Sequence, residues 1–220
     1  SGAAMLALAY AAIWLGGFAF WLIVAAASLV MLIEWVGLAE AERWQAIVAL
    51  VGLALVLLGG LSQIDNRPAM IVLLAVAAIA VTAVTTRNPT LAGGIAYAGF
   101  PALALLAIRA RPDDGFDLTL WTMAVVWATD IGAYFTGRRV GGLKLAPTIS
   151  PGKTWAGLIG GMIAAGLVGA ALGIGFDLAT ATLWLGAPLA VFAQSGGLFE
   201  RAPKRGARVK DSGRFLPGLG

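Results

Sequence analysis

One carboxylate, Asp130, interrupts an otherwise uncharged apolar run from Leu118 to about Tyr134. A charged side chain inside a membrane-spanning helix costs about 3 kcal/mol or more, and such residues usually pair, face water or bind a cation. Arg138 and Arg139, two turns further on, offer a structural ion pair as one interpretation. We favour the other, in which Asp130 contacts a cation or a substrate.

Two basic segments lie on the C-terminal side of Asp130. Residues 137 to 153 read GRRVGGLKLAPTISPGK, with four positive charges, no negative charge and enough Gly and Pro to leave backbone amides free. Residues 200 to 214 read ERAPKRGARVKDSGR, with six positive and two negative charges. Basic residues beside spans also set membrane topology and attract anionic lipids. Membrane topology and lipid attraction require positive charge but not a Gly-rich pattern. We therefore predict a site for a polyphosphate, a lipid phosphate or both.

The segment from Ser150 to Thr154, SPGKT, resembles part of a phosphate-binding P-loop only superficially. A P-loop needs Gly five residues before its Gly-Lys-Thr, and position 147 is Pro. We also expect no strand before it, and we therefore reject a P-loop. Lys153 and free amides at a helix N-terminus still suit a phosphate, although Thr154 could instead serve only as a helix N-cap.

Three aspartates, Asp113, Asp114 and Asp117, match the DDxxD spacing with which prenyl-diphosphate enzymes hold magnesium. No second aspartate-rich motif accompanies them, and they fall on the side of the membrane away from the basic segments. We interpret them as a solvated loop. A polyprenyl transferase is the alternative, and it requires these residues while leaving Asp130 dispensable.

The elements that must position these groups are membrane spans. The 220 residues are 60% apolar and 12% charged, which indicates an integral membrane protein. A helix needs about 20 apolar residues to cross a bilayer. Uncharged runs predict spans at 44 to 64, 68 to 86, 88 to 108, 154 to 176 and 178 to 199, with a sixth at 118 to 134. The first 33 residues, broken at Gly16 and Gly17, predict two more. The expected fold is all-α, a single membrane domain over 1–220 with about eight transmembrane helices.

The residue types that the chain lacks exclude some kinds of chemistry, and the placement of its charges indicates its orientation in the membrane. The chain has no Cys and no His, so disulfides, thiolate sites and imidazole chemistry are excluded. With eight spans, one side of the membrane receives 12 of the 15 Lys and Arg residues. The positive-inside rule places that side in the cytoplasm of a bacterial-type inner membrane. A nucleic-acid partner is not expected.

The motif blocks resemble the phosphatidate cytidylyltransferase family, also called CDP-diacylglycerol synthases. The first block is WATDIGAYFTGR from Trp127 to Arg138, followed by KLAP from Lys144 and SPGKTW from Ser150. The second block has Lys204-Arg205, VKDSG from Val209 and Leu216-Pro217-Gly218. The likeness covers most of the chain, including the Gly16-Gly17 break.

The resemblance implies a helical membrane enzyme that makes CDP-diacylglycerol and pyrophosphate from CTP and phosphatidic acid with Mg²⁺. A homodimer is the assembly that the resemblance leads us to expect. Its task is to bring together two anionic substrates and to neutralise charge on the leaving pyrophosphate. The residues expected to be catalytic are Asp130, Lys153, Lys210 and Asp211. Expected substrate ligands are Lys144, Ser150, Thr154, Lys204 and Arg205, and the expected metal ligands are Asp130 and Glu200.

Departures from the family pattern fall in the second block. Gly197 stands where the family has an acidic residue, Arg201 where it has Ser and Leu219 where it has His. Ile131 replaces the usual Ser or Thr. Both chain ends resemble cuts in a longer protein, and a further family aspartate falls beyond Gly220. We therefore expect the family fold with impaired activity. A degenerate homologue that only binds nucleotide or lipid phosphate is the alternative, ahead of a transporter, since no internal repeat is present.

Overall fold

The apolar runs form helices. The predicted spans 44 to 64, 68 to 86, 88 to 108 and 154 to 176 agree with helix ends within one residue, whereas those at 118 to 134 and 178 to 199 differ by three to seven residues. The computed structural model describes residues 2–63, 68–148 and 150–206, with side chains described for 7–61, 69–148 and 150–196. Within these residues the chain forms eight helices and one antiparallel hairpin. In chain order the elements are α1 (Gly2–Leu15), α2 (Gly17–Leu38), α3 (Arg43–Gln63), α4 (Pro68–Thr86), α5 (Pro89–Arg109), α6 (Gly115–Arg139), β1 (Lys144–Ala146), β2 (Ser150–Thr154), α7 (Trp155–Gly175) and α8 (Thr182–Gly206).

In the described part of the chain, five helices are long and apolar enough to cross a membrane. They are α2, α3, α4, α5 and α7, with spans of 18 to 22 residues. Large apolar side chains such as Leu73, Val84 and Leu167 are exposed on their outer faces, as expected where lipid replaces water. The predicted all-α membrane class is therefore confirmed. Among the described residues, α1, α6 and α8 do not meet the same length and hydropathy criteria.

The chain divides into two compact units, of which the first comprises the described part of residues 1–116. Its core is formed by α2, α3 and α5, where Leu32, Leu53 and Leu91 are fully buried. Trp35 stacks on Tyr97 with ring centroids 5.0 Å apart, and its Nε1–H donates to the Thr90 carbonyl at 2.8 Å. The indole N–H is therefore satisfied inside an otherwise apolar core.

The predicted break in the first 33 residues lies between α1 and α2. Gly16 has φ 60°, in the region that favours glycine. The Arg109 guanidinium of α5 lies directly against Gly16, and Arg109 Nε–H donates to the Ile13 carbonyl at 2.8 Å. A side chain at position 16 would collide with that guanidinium. The break is thus held by a contact from α5 as well as by the local backbone.

The second unit covers residues 117–206 and contains most of α6, the hairpin, α7 and α8. Its core joins Trp121 and Val125 to Ala165 and Ala190. Trp121 Nε1–H donates to the Gly169 carbonyl at 2.7 Å. Small residues let the helices approach closely, as is common in membranes. A Cβ built on Gly132 of α6 would lie 2.6 Å from the Ala164 Cβ of α7.

The basic segment at 137 to 153, where we expected free backbone amides, forms the end of a helix and a hairpin in its described residues, and this corrects the prediction. Helix α6 continues through Arg139, and positive φ at Gly141 and Gly142 (65° and 88°) turns the chain into β1. β1 and β2 then pair antiparallel, with Lys144 opposite Thr154. Our expectation that no strand precedes the SPGKT segment was therefore wrong. The pairing also uses backbone groups that we expected to be free.

Candidate functional site

Asp130 lies on α6 with its carboxylate exposed, at the wall of a cavity in the second unit. Its neighbour Thr129 is fully buried and donates from Oγ1 to the Val125 carbonyl at 2.8 Å. Among the residues that the structure describes, no cation pairs with Asp130 and no group hydrogen-bonds to its side chain. The carboxylate is therefore available to a cation or a ligand.

Arg138, the cation suggested as a structural partner of Asp130, has another contact. Its Nη1–H donates to the Tyr134 hydroxyl at 2.7 Å, one helical turn away, and its guanidinium lies 5.9 Å from the Tyr134 ring centroid. Both residues line the same cavity as Asp130. The tyrosine therefore orients Arg138 without neutralising its charge.

Lys153 and Thr154 reach the cavity from the end of β2. Lys153 Nζ donates to the backbone carbonyl of Gln194 on α8 at 2.9 Å, so the ammonium is fixed between the hairpin and α8. Thr154 is the N-cap of α7, and its Oγ1 accepts a hydrogen bond from the Gly157 N–H at 3.0 Å. Capping leaves the hydroxyl proton able to donate to a ligand. The N-terminus of α7 adds partial positive charge beside Lys153.

Glycines allow α6, β2 and α7 to meet around the cavity. A Cβ at Gly137 would lie 3.1 Å from Thr154 Oγ1, and one at Gly157 would lie 3.0 Å from the Ala133 carbonyl oxygen. The cavity has a volume of about 520 Å³, within the range of small-molecule sites. Its walls come from α6, β2, α7 and α8, and the lining residues are Asp130, Ala133, Tyr134, Gly137, Arg138, Gly152, Lys153, Thr154, Gly157, Leu158 and Gln194.

The structure brings three of the predicted site residues together, namely Asp130, Lys153 and Thr154. Two others stand apart from the cavity walls: Lys144 is exposed on β1, and Ser150 is 2% exposed at the start of β2. The side chains of Glu200, Lys204 and Arg205, on the last turns of α8, lie outside the described side chains. Lys210 and Asp211 lie outside the described residues altogether.

A metal site in a chain without Cys or His depends on carboxylate side chains. In the described ranges, no group of three Asp or Glu side chains is placed to hold a metal ion. The DDxxD aspartates do not form one, since Asp114 is paired with Arg111 at 2.6 Å. Hydrogen bonding to Arg111, with a smaller contribution from its charge, lowers the pKa of Asp114 below its usual value. Of the carboxylates whose side chains are described, Asp130 is the one that lines the cavity.

Sequence reasoning missed two residues of the cavity wall, Tyr134 and Gln194. Tyr134 falls in the first motif block, but nothing in the sequence shows that its hydroxyl accepts from Arg138. Gln194 is 7% exposed on α8. A carboxamide inside the predicted span 178 to 199 was the available signal, because polar groups within spans usually have a specific partner.

The chain is similar to a known protein family over the whole of the given sequence. The profile of the Cytidylyltransferase family matches residues 1–220. The phosphatidate cytidylyltransferase of Brucella suis biovar 1 (strain 1330) is 41% identical over 216 residues, covering 94% of this chain and 78% of the relative. The phosphatidate cytidylyltransferase of Staphylococcus saprophyticus subsp. saprophyticus is 43% identical over 130 residues, covering 57% and 48%. The full-length profile match and these relatives show that the chain belongs to the cytidylyltransferase family.

Proposed function

We propose that this chain transfers the cytidylyl group of CTP to phosphatidate, forming CDP-diacylglycerol and pyrophosphate. The observation that carries the proposal is a single cavity with the anion-binding groups Lys153 and Arg138 on its walls beside the carboxylate of Asp130. The names of the relatives support the choice of reaction.

The reaction requires little acid–base catalysis from the protein. An anionic phosphatidate oxygen forms a bond to the α-phosphorus of CTP, the bond from that phosphorus to the β-phosphate bridging oxygen breaks, and pyrophosphate leaves with the electron pair. The nucleophile needs no deprotonation, so a chain without His can support the step. Catalysis then rests on alignment and charge neutralisation.

The residues of the cavity suit these two tasks. Lys153 is held by the Gln194 carbonyl, which reduces the conformational freedom it must lose on binding phosphate. Arg138 presents a planar guanidinium that matches phosphate oxygens in pairs. The capped N-terminus of α7 contributes a fixed partial charge. Together these groups would lower the repulsion between two anionic substrates.

Magnesium is the metal that we propose for this site. It commonly binds proteins through one or two carboxylates together with substrate phosphates, and Asp130 offers at the cavity wall a carboxylate that no described residue pairs with. Glu200 is the second proposed ligand from sequence alone. When bound, the ion would offset negative charge on the departing pyrophosphate.

The wider arrangement is also a proposal. We place the basic hairpin on the cytoplasmic side of a bacterial-type inner membrane, in a single membrane domain that forms a homodimer among membrane lipids. α6 and α8, each of 25 residues, are long enough to cross. α1 has 14 residues and a length of about 21 Å, so it would cross only a locally thinned bilayer.

A direct assay tests the proposed activity. CDP-diacylglycerol formation is measured in detergent micelles with CTP, phosphatidic acid and Mg²⁺ for the chain and its Asp130→Asn variant. We expect Asp130→Asn to abolish the Mg²⁺-dependent rate. Asp177→Asn is the matched control, because Asp177 lies in the turn after α7, outside the cavity wall, and Asn tolerates its positive φ of 52°.

The departures at Gly197 and Arg201 lead us to propose reduced activity, which Gly197→Asp should raise. Equal rates for wild type and Asp130→Asn would refute the site. CTP binding without turnover in the wild type and in Gly197→Asp would favour the degenerate binding protein.

A further inference from the structure

Gln194 presents its carboxamide to the cavity. The residue is 7% exposed and lines the cavity, yet no described residue hydrogen-bonds to its side chain. Other buried polar side chains of the second unit differ in this respect. Thr129, Thr154 and Thr182 each make a hydrogen bond at 2.8 to 3.0 Å.

Among the described residues, no buried side-chain nitrogen or oxygen atom lacks a hydrogen-bond partner, so the carboxamide of Gln194 is open to the cavity. A polar group that faces a cavity bonds to water or to a ligand. Gln194 has two N–H donors and one carbonyl acceptor to satisfy. Since it lies on the cavity wall, these groups are placed to bond to a molecule inside the cavity.

The surroundings of Gln194 indicate which molecule that is. Its backbone carbonyl accepts the Lys153 ammonium at 2.9 Å, so the residue lies directly beside a fixed positive charge. Arg138 and the N-terminus of α7 add further positive character to the same cavity. A ligand drawn there by these groups is anionic, and the amide N–H groups can donate to its oxygens.

We propose that Gln194 is a substrate-binding residue whose carboxamide donates a hydrogen bond to a phosphate oxygen of the nucleotide. The identification of that phosphate as CTP's rests on the proposed function. Gln194 would thereby act twice, since its backbone positions Lys153 and its side chain contacts the same polyphosphate.

The test measures equilibrium binding of CTP and, separately, of inorganic pyrophosphate with Mg²⁺ to the purified chain in micelles. Gln194→Met keeps the length of the side chain but cannot hydrogen-bond, and Gln194→Glu places a carboxylate beside the phosphate. Ser195→Ala is the matched control, because Ser195 is the next residue, is exposed and donates to the Phe192 carbonyl. Thermal unfolding of each variant reports on folding.

We expect the dissociation constants for both ligands to rise roughly tenfold or more in Gln194→Met and further in Gln194→Glu. Ser195→Ala should bind as the wild type does, and Gln194→Met should retain its unfolding temperature. Weaker CTP binding with unchanged pyrophosphate binding would place the contact on the nucleoside and overturn the proposal. Unchanged binding of both ligands would overturn it too, as would a wild type that binds neither. A wild type that binds both ligands but forms no CDP-diacylglycerol refutes the proposed function. In that case the dissociation constants of the Gln194 variants still test whether Gln194 contacts the phosphate.

Discussion

Replacing Gly132 by alanine is expected to separate α6 from α7 beside the cavity. The added Cβ would lie 2.6 Å from the Ala164 Cβ and 2.8 Å from the Gly160 carbonyl oxygen, whereas ordinary contacts begin at 3.4 Å. Neither neighbour is the end of a flexible side chain. The helices must therefore move apart by about 0.8 Å to relieve the closer contact.

The size of this movement sets the expected effects. Overpacking of this kind costs about 1–3 kcal/mol of folding free energy. Asp130 precedes Gly132 by two residues on α6, while Lys153 and Thr154 lead directly into α7. A displacement of about 1 Å between groups that align substrates can lower a rate about 100-fold. We therefore expect a large loss of kcat with a moderate loss of stability.

The assay is the initial rate of CDP-diacylglycerol formation at saturating CTP and phosphatidic acid, with thermal unfolding followed in parallel. Gly166→Ala is the matched control on α7, because its Cβ would lie 3.6 Å from the Ala187 Cβ, an ordinary contact. That variant should keep both its rate and its unfolding temperature. A Gly132→Ala enzyme with the wild-type kcat would refute the reasoning, and so would an equal loss in Gly166→Ala.

Two further predictions concern stability. Thr154→Val removes the N-cap bond to Gly157 and should cost about 1 kcal/mol in unfolding experiments; Thr154→Ser should restore most of it, and equal stabilities for Val and Ser would contradict the capping role. Asp114→Asn removes the exposed ion pair with Arg111 and should lower the unfolding temperature only slightly at neutral pH. Because the folded-state pKa of Asp114 lies below its ordinary value of 3.8, this contribution is present above pH 3.8 and is lost as the pH falls through the folded pKa. A pH series should show the two proteins converging there, and a difference that persists at lower pH would contradict this assignment.

The helix positions were predictable because uncharged apolar runs and the glycines that break them are local features of the sequence. The run 68 to 86 coincides with α4, and 44 to 64 differs from α3 by one residue at each end. The paired glycines at 16 and 17 predicted the break between α1 and α2. The hairpin was missed because its pairing joins Lys144 to Thr154, ten residues apart, in a segment whose Gly and Pro content is typical of a loop.

The candidate site was predictable only in part, for a related reason. Asp130 is conspicuous as one charge in an apolar run, and Lys153 as part of a basic segment. The role of Gln194 depends on α8 returning alongside α7, which places its carbonyl 2.9 Å from Lys153 across 41 residues of sequence. No local pattern encodes that approach. Tyr134 was missed likewise, because a hydroxyl's partner depends on side-chain geometry.

The contact between Arg109 and the break after α1 also bears on how the chain is made. Arg109 bonds to the Ile13 carbonyl, 96 residues earlier in the sequence, and lies against Gly16. A ribosome adds residues in order, so α1 and α2 are already synthesised long before their arginine partner exists. The bend between these two helices can acquire its final support only after α5 has been made. Its completion therefore waits for α5, although both helices that the bend joins are made earlier.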